Sequence, residues 1–154
     1  MKRILTVSVI AVAQLVLVGV GVTPQLSARL TGDTYLMSVA PLDPIDPFRG
    51  AYVALDYPDL RHDTSSSDEQ GDIFVTLAQE GEVWVARRWS RERPDEGPYL
   101  ACDDRGWQVR CGIESFFLPQ DQAAGTEALL RDGAVAEVRI DSRGNATVVD
   151  VRAP

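Results

Sequence analysis

The chain has 154 residues, of which 45% are hydrophobic, 25% charged and 7% aromatic, a composition that is typical of one folded domain and excludes a disordered tail. The formal net charge is −8 and no basic run is present, so we expect neither a nucleic-acid partner nor attraction to anionic lipid head groups. Two cysteines, one histidine and one lysine exclude most metal and nucleophile constellations, and we expect no cofactor and no metal site.

An uncharged, apolar run covers residues 4–22 and follows two basic residues, Lys2 and Arg3. As a helix, this run would reach about 28 Å, close to the roughly 30 Å hydrocarbon core of a bilayer. No further basic residue follows until Arg29, so the positive-inside bias places the N-terminus in the cytoplasm. The sequence therefore predicts a transmembrane anchor over residues 1–27 and an extracytoplasmic domain over residues 28–154. The anchor would be inserted in the plasma (inner) membrane through residues 4–22.

A cleaved signal peptide is the alternative interpretation of the same run. Apolar regions of signal peptides usually span about 7–15 residues and end at a small-x-small cleavage site. Here the run is longer, Leu26-Ser27-Ala28 has a bulky residue at the first position, and Gly19 and Gly21 lie inside the run. We favour an uncleaved anchor, and both alternatives place the same domain outside the cytoplasm.

The rest of the chain alternates between β-prone segments and turn signals. A short polar spacer is predicted over 23–33, a polar loop over 61–71, a tight turn over 103–106 and one short helix over 120–131. Strands are predicted over 34–40, 49–57, 72–77, 82–89, 99–102, 107–111, 113–118, 134–140 and 146–152. This pattern predicts a mostly β fold, a small antiparallel β-sandwich or barrel-like domain with one short helix.

Two segments of the chain carry a family resemblance. Residues 43–57 read DPIDPFRGAYVALDY, and residues 112–119 read GIESFFLP. The first resembles the signature of the GDYXXLXY family, with matches at Gly50, Tyr52, Leu55 and Tyr57 and with Ala51 where the family has aspartate. The second is similar to another segment of that family, and the resemblance covers most of residues 30–152. It implies a single-pass, membrane-anchored bacterial protein with no assigned activity.

The signature segment has two interpretations. In a regular strand, Leu55 and Tyr57 share one face with Val53, which would belong to the core, while Tyr52 and Asp56 share the other. The segment is then either a strand entry held by a proline turn or a ligand-facing site. The candidate binding residues are Arg49, Gly50, Tyr52, Leu55, Tyr57 and Glu114.

Glu114 lies in an apolar strand, where a carboxylate near aromatic rings could act as an acid. A structural ion pair with Arg49 or Arg110 is the interpretation that we favour. Lys2 would lie across the membrane from every serine of the domain, and His62 lies in the polar loop. We therefore predict no catalytic residue.

The remaining acidic residues and the two cysteines have structural rather than catalytic explanations. Asp103 and Asp104, like Asp43 and Asp46, are expected in surface turns rather than in a calcium site. Cys102 and Cys111 could form a disulfide outside the cytoplasm. A tight turn over 103–106 would place Trp107 opposite Cys102, so the bridge requires a wider loop.

These observations lead to a non-catalytic binding or assembly module of the bacterial cell envelope, with another membrane or envelope protein as the expected partner. A domain that only spaces an envelope assembly is a plainer version of this hypothesis. The alternative is a small-ligand-binding protein or carboxylate-dependent hydrolase, with a pocket near Arg49, Tyr52, Asp56 and Glu114.

Overall fold

The structure is a computed structural model that describes residues 2–41, 52–61, 70–105, 109–119, 125–126, 129–130 and 133–154. Within these residues, one long helix, α1, precedes eight strands, and a short 3-10 turn lies at Pro58–Leu60. The bounds are α1 Lys2–Thr31, β1 Asp33–Pro41, β2 Tyr52–Asp56, β3 Asp72–Glu80, β4 Val83–Ser90, β5 Tyr99–Asp103, β6 Ser115–Phe117, β7 Ala134–Ile140 and β8 Ala146–Arg152.

Helix α1 is a single element of 30 residues. Its part from Thr6 to Thr31 is long and apolar enough to cross a membrane, and the β domain covers none of its most apolar stretch. The polar spacer that the sequence predicts over 23–33 is therefore wrong as far as Thr31. Pro24 lies inside the helix, but the residues after it include good helix formers such as Leu26 and Ala28, and the side chain of Ala28 is fully buried.

The β strands form two antiparallel sheets. The larger has the order β6-β2-β1-β7-β8, and the smaller has the order β4-β3-β5. Hairpins join β3 to β4 and β7 to β8, as the alternation of apolar and polar residues predicts. The mostly β, antiparallel fold predicted from the sequence is confirmed.

One hydrophobic core lies between the sheets. The larger sheet contributes residues such as Met37, Leu55 and Val138, and the smaller contributes residues such as Val75 and Leu100, all of them buried. Strand β1 also contacts β4, where the rings of Tyr35 and Trp84 meet edge to face with centroids 5.0 Å apart. The arrangement is that of a sandwich.

The short helix predicted over 120–131 is described only in part. Gly125, Thr126, Leu129 and Leu130 are helical, and the side chain of Leu130 is buried in the core. The remaining residues of that segment, like most of the polar loop over 61–71, lie outside the described residues.

Candidate functional site

The signature strand β2 directs one face into the core. Val53, Leu55 and Tyr57 are buried, which confirms the face that the two-residue period of a strand predicts. The Tyr57 hydroxyl donates a hydrogen bond to the carbonyl oxygen of Ile113 at 2.9 Å. Burial raises the pKa of Tyr57 far above its ordinary value, and the negative charge of Glu114 raises it further. Tyr57 is therefore a neutral residue that ties β2 to the segment before β6.

The two segments that carry the resemblance are neighbours in the structure. Strand β6 pairs antiparallel with β2, with Val53 opposite Phe116 and Ala54 opposite Ser115. Beyond this pairing, the amide of Leu55 donates to the carbonyl oxygen of Glu114 at 2.9 Å. The signature and the second segment thus form one structural unit at the edge of the larger sheet.

The carboxylate of Glu114 is occupied by backbone amides. Its Oε1 accepts a hydrogen bond from the amide of Cys111, and the amide of Gly112 lies 3.2 Å from Oε1 and 3.1 Å from Oε2. Arg110, which the sequence suggested as a partner, forms no ion pair with it within the described residues, and Arg49 lies outside them. Glu114 therefore holds the turn between Cys111 and β6.

A second cluster joins α1 to the turn between β7 and β8. The Ser27 hydroxyl donates to Oδ2 of Asp141 at 2.5 Å, and Asp141 is buried. Burial by itself would raise the pKa of Asp141. Hydrogen bonds from the side chains of Asn145 and Ser27 and from the amides of Arg143 and Asn145 outweigh it, so the pKa lies below its ordinary value. Asp141 is thus charged, and its hydrogen bonds connect the helix to the hairpin turn.

Arg139 on β7 caps the carboxyl end of α1. Its guanidinium donates to the carbonyl oxygen of Arg29 at 2.5 Å and to that of Gly32 at 3.0 and 2.7 Å. A cation at this position satisfies carbonyls that lack helical partners and opposes the helix dipole. The side chain of Ala28 is fully buried beside them. We call the set Ser27, Ala28, Arg139 and Asp141 the helix junction.

The model of the GDYXXLXY protein family matches residues 14–151, most of the chain. The chain belongs to the GDYXXLXY family. No curated protein and no solved structure matches it significantly.

The extent of the GDYXXLXY match is informative. It begins at Gln14, in the middle of α1. The second half of the apolar helix, the helix junction and both signature segments therefore belong to the family's common unit. The helix from Gln14 onward is thus part of what the family model describes.

The predicted binding residues differ in where they lie. Leu55 and Tyr57 lie in the core. Arg49 and Gly50 lie outside the described residues, and so does the side chain of Tyr52.

The two predicted acidic residues, Asp56 and Glu114, have different surroundings. Asp56 lies on the other face of β2 and forms an ion pair of 2.7 Å with Arg61. The groove that Glu114 lines, about 640 Å³ in volume, is formed by residues near α1, β6 and β8 and does not include Asp56. A shared pocket for these residues stays a prediction.

The two cysteines, Cys102 and Cys111, are bonded to each other. The backbone groups of Asp103 and Arg110 pair with each other in both directions at 2.8 Å. The tight turn predicted over 103–106 is therefore wrong, because six residues separate the paired positions. This wider loop places Cys111, not Trp107, opposite Cys102.

Asp104 departs from the surface turn expected for it. It is buried, forms an ion pair with Arg91 and accepts a hydrogen bond of 2.6 Å from the amide of Gly71. These two interactions hold its pKa at about 2, below the ordinary range. Asp103 agrees better with the expectation, since it is half exposed and pairs with Arg105 at 2.7 Å.

Sequence reasoning missed the helix junction. Its partners are more than 100 positions apart, so no local pattern connects them. One signal was present: Asp141 opens a turn with Gly144 and Asn145, and Arg139 is a charge between two apolar residues, Val138 and Ile140. A lone charge in such a position needs a partner.

Proposed function

We propose that this GDYXXLXY protein is an uncleaved, single-pass protein of the plasma membrane. Its β domain lies outside the cytoplasm and acts by binding another membrane or envelope protein, not by catalysis. The observation that carries the proposal is the continuity of α1. One helix includes the apolar run and, without interruption, the residues that bond to Asp141 and Arg139.

The continuity of α1 favours an anchor over a removed signal peptide. Cleavage after Leu26-Ser27-Ala28 would cut the helix next to a fully buried residue, Ala28, and would remove the Ser27 hydroxyl from Asp141. Cleavage after Gly21 would have to occur inside the apolar run. An intact helix keeps all these contacts and places the β domain close to the bilayer surface.

The charges that flank the helix favour one orientation. Lys2 and Arg3 precede the apolar run, whereas the part of the chain after residue 27 has 13 basic and 23 acidic residues. The positive-inside bias keeps the N-terminal end of the helix, which carries Lys2 and Arg3, in the cytoplasm. The disulfide between Cys102 and Cys111 suits an oxidising compartment outside it.

The state of the signature residues favours binding over catalysis. The Tyr57 hydroxyl and the Glu114 carboxylate, the two groups that could best transfer a proton, are held by backbone atoms of the same turn. Their bonds stabilise the edge of the larger sheet. A role in holding a binding surface in shape uses these groups as they are placed, whereas acid catalysis would need them released.

Protease treatment of spheroplasts tests the topology. A C-terminal tag on the full chain should be digested by external protease without lysis, while an N-terminal tag should be protected until the membrane is opened. A C-terminal tag that is digested only after lysis contradicts an extracytoplasmic domain.

In-membrane cross-linking tests the binding role. The tagged full chain should capture one or a few envelope proteins in stoichiometric yield, well above an unrelated single-pass protein with the same tag and expression level. Repeated captures that do not differ from this control contradict a binding function. The hydrolase alternative gains support only if the side chains of Arg49, Tyr52, Asp56 and Glu114 are found in one cleft.

A further inference from the structure

One strongly polar side chain, that of Gln14, lies at the centre of the apolar helix. It is the eleventh of the 19 residues from Ile4 to Val22. In the part of the chain that the structure describes, its amide has no hydrogen-bond partner, and the helix around it is not covered by the β domain. In a bilayer, Gln14 would be about as far from water as a residue of this span can be. An amide in hydrocarbon is unfavourable unless it is hydrogen-bonded.

Gln14 defines one face of the helix. With 3.6 residues per turn, residues at alternating spacings of four and three lie on the same side. This seam contains Gln14 together with Val7, Ala11, Val18 and Gly21. Val9 and Val16 lie on the opposite side.

The seam is accessible along its length. The side chains of Val7 and Val18 are 66% and 64% exposed, and those of Val9 and Val16 on the other side are 61% and 59% exposed. The protein's own fold therefore does not distinguish the two faces. Only the amide of Gln14 does.

We propose that α1 pairs with α1 of a second copy of this chain, in parallel, through the Gln14 seam. This inference rests on the membrane-spanning helix of the proposed function. Two copies inserted in the same orientation have their Gln14 residues at the same depth. Because an amide has both a donor and an acceptor, the two side chains satisfy each other by reciprocal hydrogen bonds.

A second copy is the occupant that this geometry favours. A different membrane protein would need a polar group of its own at the matching depth, whereas a second copy supplies it automatically. Ala11 and Gly21 have little or no side chain, so the two backbones can approach closely on either side of the amide pair. The residues of the helix junction lie beyond Val22, so pairing along the seam does not displace them.

Single cysteine substitutions in the full chain, each compared with a matched control, test the seam. Cys102 and Cys111 are bonded to each other, so the unsubstituted chain measures the background of disulfide cross-linking. Val18→Cys and Val7→Cys place a thiol on the seam. Val16→Cys and Val9→Cys are matched controls on the other side, two residues away and equally exposed. In oxidised membranes, the seam variants should form cross-linked dimers several-fold faster than their controls.

The amide itself is tested in the Val18→Cys background. Gln14→Leu should lower the dimer yield about three- to tenfold, and Gln14→Asn, which retains an amide, should preserve most of it. Equal cross-linking on both faces, no effect of Gln14→Leu, or a cross-linked product that contains another protein overturns the proposal. Carbonate extraction of the same membranes separates the two proposals: loss of the chain into the soluble fraction contradicts the anchor, whereas an integral but uncross-linked chain contradicts only the pairing.

Discussion

At the scale of single residues, Leu55 and Tyr57 of the family signature are part of the hydrophobic core. Tyr57 places its ring in the core and its hydroxyl on the Ile113 carbonyl. The strand period was enough to predict that Leu55 and Tyr57 face inward. It could not predict what the hydroxyl contacts, because Ile113 is 56 positions away.

Removing that hydroxyl should destabilise the domain. Tyr57→Phe leaves the Ile113 carbonyl buried without its donor, and we expect a loss of about 1–2 kcal/mol in the free energy of unfolding. The matched control is Tyr35→Phe, since the Tyr35 hydroxyl has no hydrogen bond within the described part of the chain; it should cost less than about 0.5 kcal/mol. Chemical denaturation of the full chain in detergent measures both, and equal losses contradict the role given to Tyr57.

Asp104 should make stability depend on pH. Its pKa in the folded protein is about 2 because of Arg91 and the Gly71 amide, while an unfolded aspartate has a pKa of about 3.9. A lowered pKa stabilises the folded state above the unfolded pKa, and this stabilisation is lost as the pH falls through the folded pKa.

The variant Asp104→Asn lacks this titration. The difference in unfolding free energy between the unsubstituted chain and Asp104→Asn should be constant above about pH 5 and shrink between about pH 4 and pH 2. Unfolding curves at a series of pH values measure it. A difference that does not change with pH would show that the Asp104 charge contributes nothing.

Gly144 should not tolerate a side chain. Its φ is +82°, and a Cβ there would lie 2.6 Å from the Tyr99 ring and 2.8 Å from the Ala101 nitrogen. Gly81 is the matched control, with φ of +64° and nothing within 4 Å of its Cβ position. Gly81→Ala should cost about 1 kcal/mol from backbone strain, and Gly144→Ala at least about 2 kcal/mol more because it also crowds β5. Thermal unfolding of the two variants measures both losses of stability. Equal losses would contradict the close approach of Gly144 to β5.

At the scale of elements, the hairpins could be predicted from the sequence, whereas the contacts between segments that are distant in the chain could not. The β3–β4 and β7–β8 pairs follow from alternating residues around a turn, which are local features. The extension of α1 to Thr31 was missed because its last turn depends on Arg139, 110 positions away from Arg29. The loop after Cys102 was misjudged for a related reason: the pairing of Asp103 with Arg110 overrode a strong local turn signal.

The Arg139 cap should protect the end of α1 from proteolysis. Arg139→Ala removes three charge-assisted hydrogen bonds from the carbonyls of Arg29 and Gly32. Local opening should then become easier by at least about 1.4 kcal/mol, so that trypsin cleaves after Arg29 roughly tenfold faster. Arg143→Ala, in the exposed turn of the same hairpin, should leave the rate unchanged. Equal rates in the two variants would contradict the cap.

At the scale of the whole molecule, the proposed function depends on one helix, α1, that would cross the membrane and that also bonds to the β domain. Its apolar length was evident from the sequence, as was its orientation bias. The helix junction adds a physical reason for keeping the helix, since cleavage after Ala28 would remove the Ser27 hydroxyl from the buried carboxylate of Asp141. The GDYXXLXY match, which begins inside the helix, agrees with this arrangement.

The intact mass of the protein in carbonate-washed membranes tests this account most directly. The account predicts a mass that includes the whole of α1, with the Cys102–Cys111 disulfide formed and the protein retained in the membrane. A soluble form whose chain begins between residues 20 and 29 would contradict it.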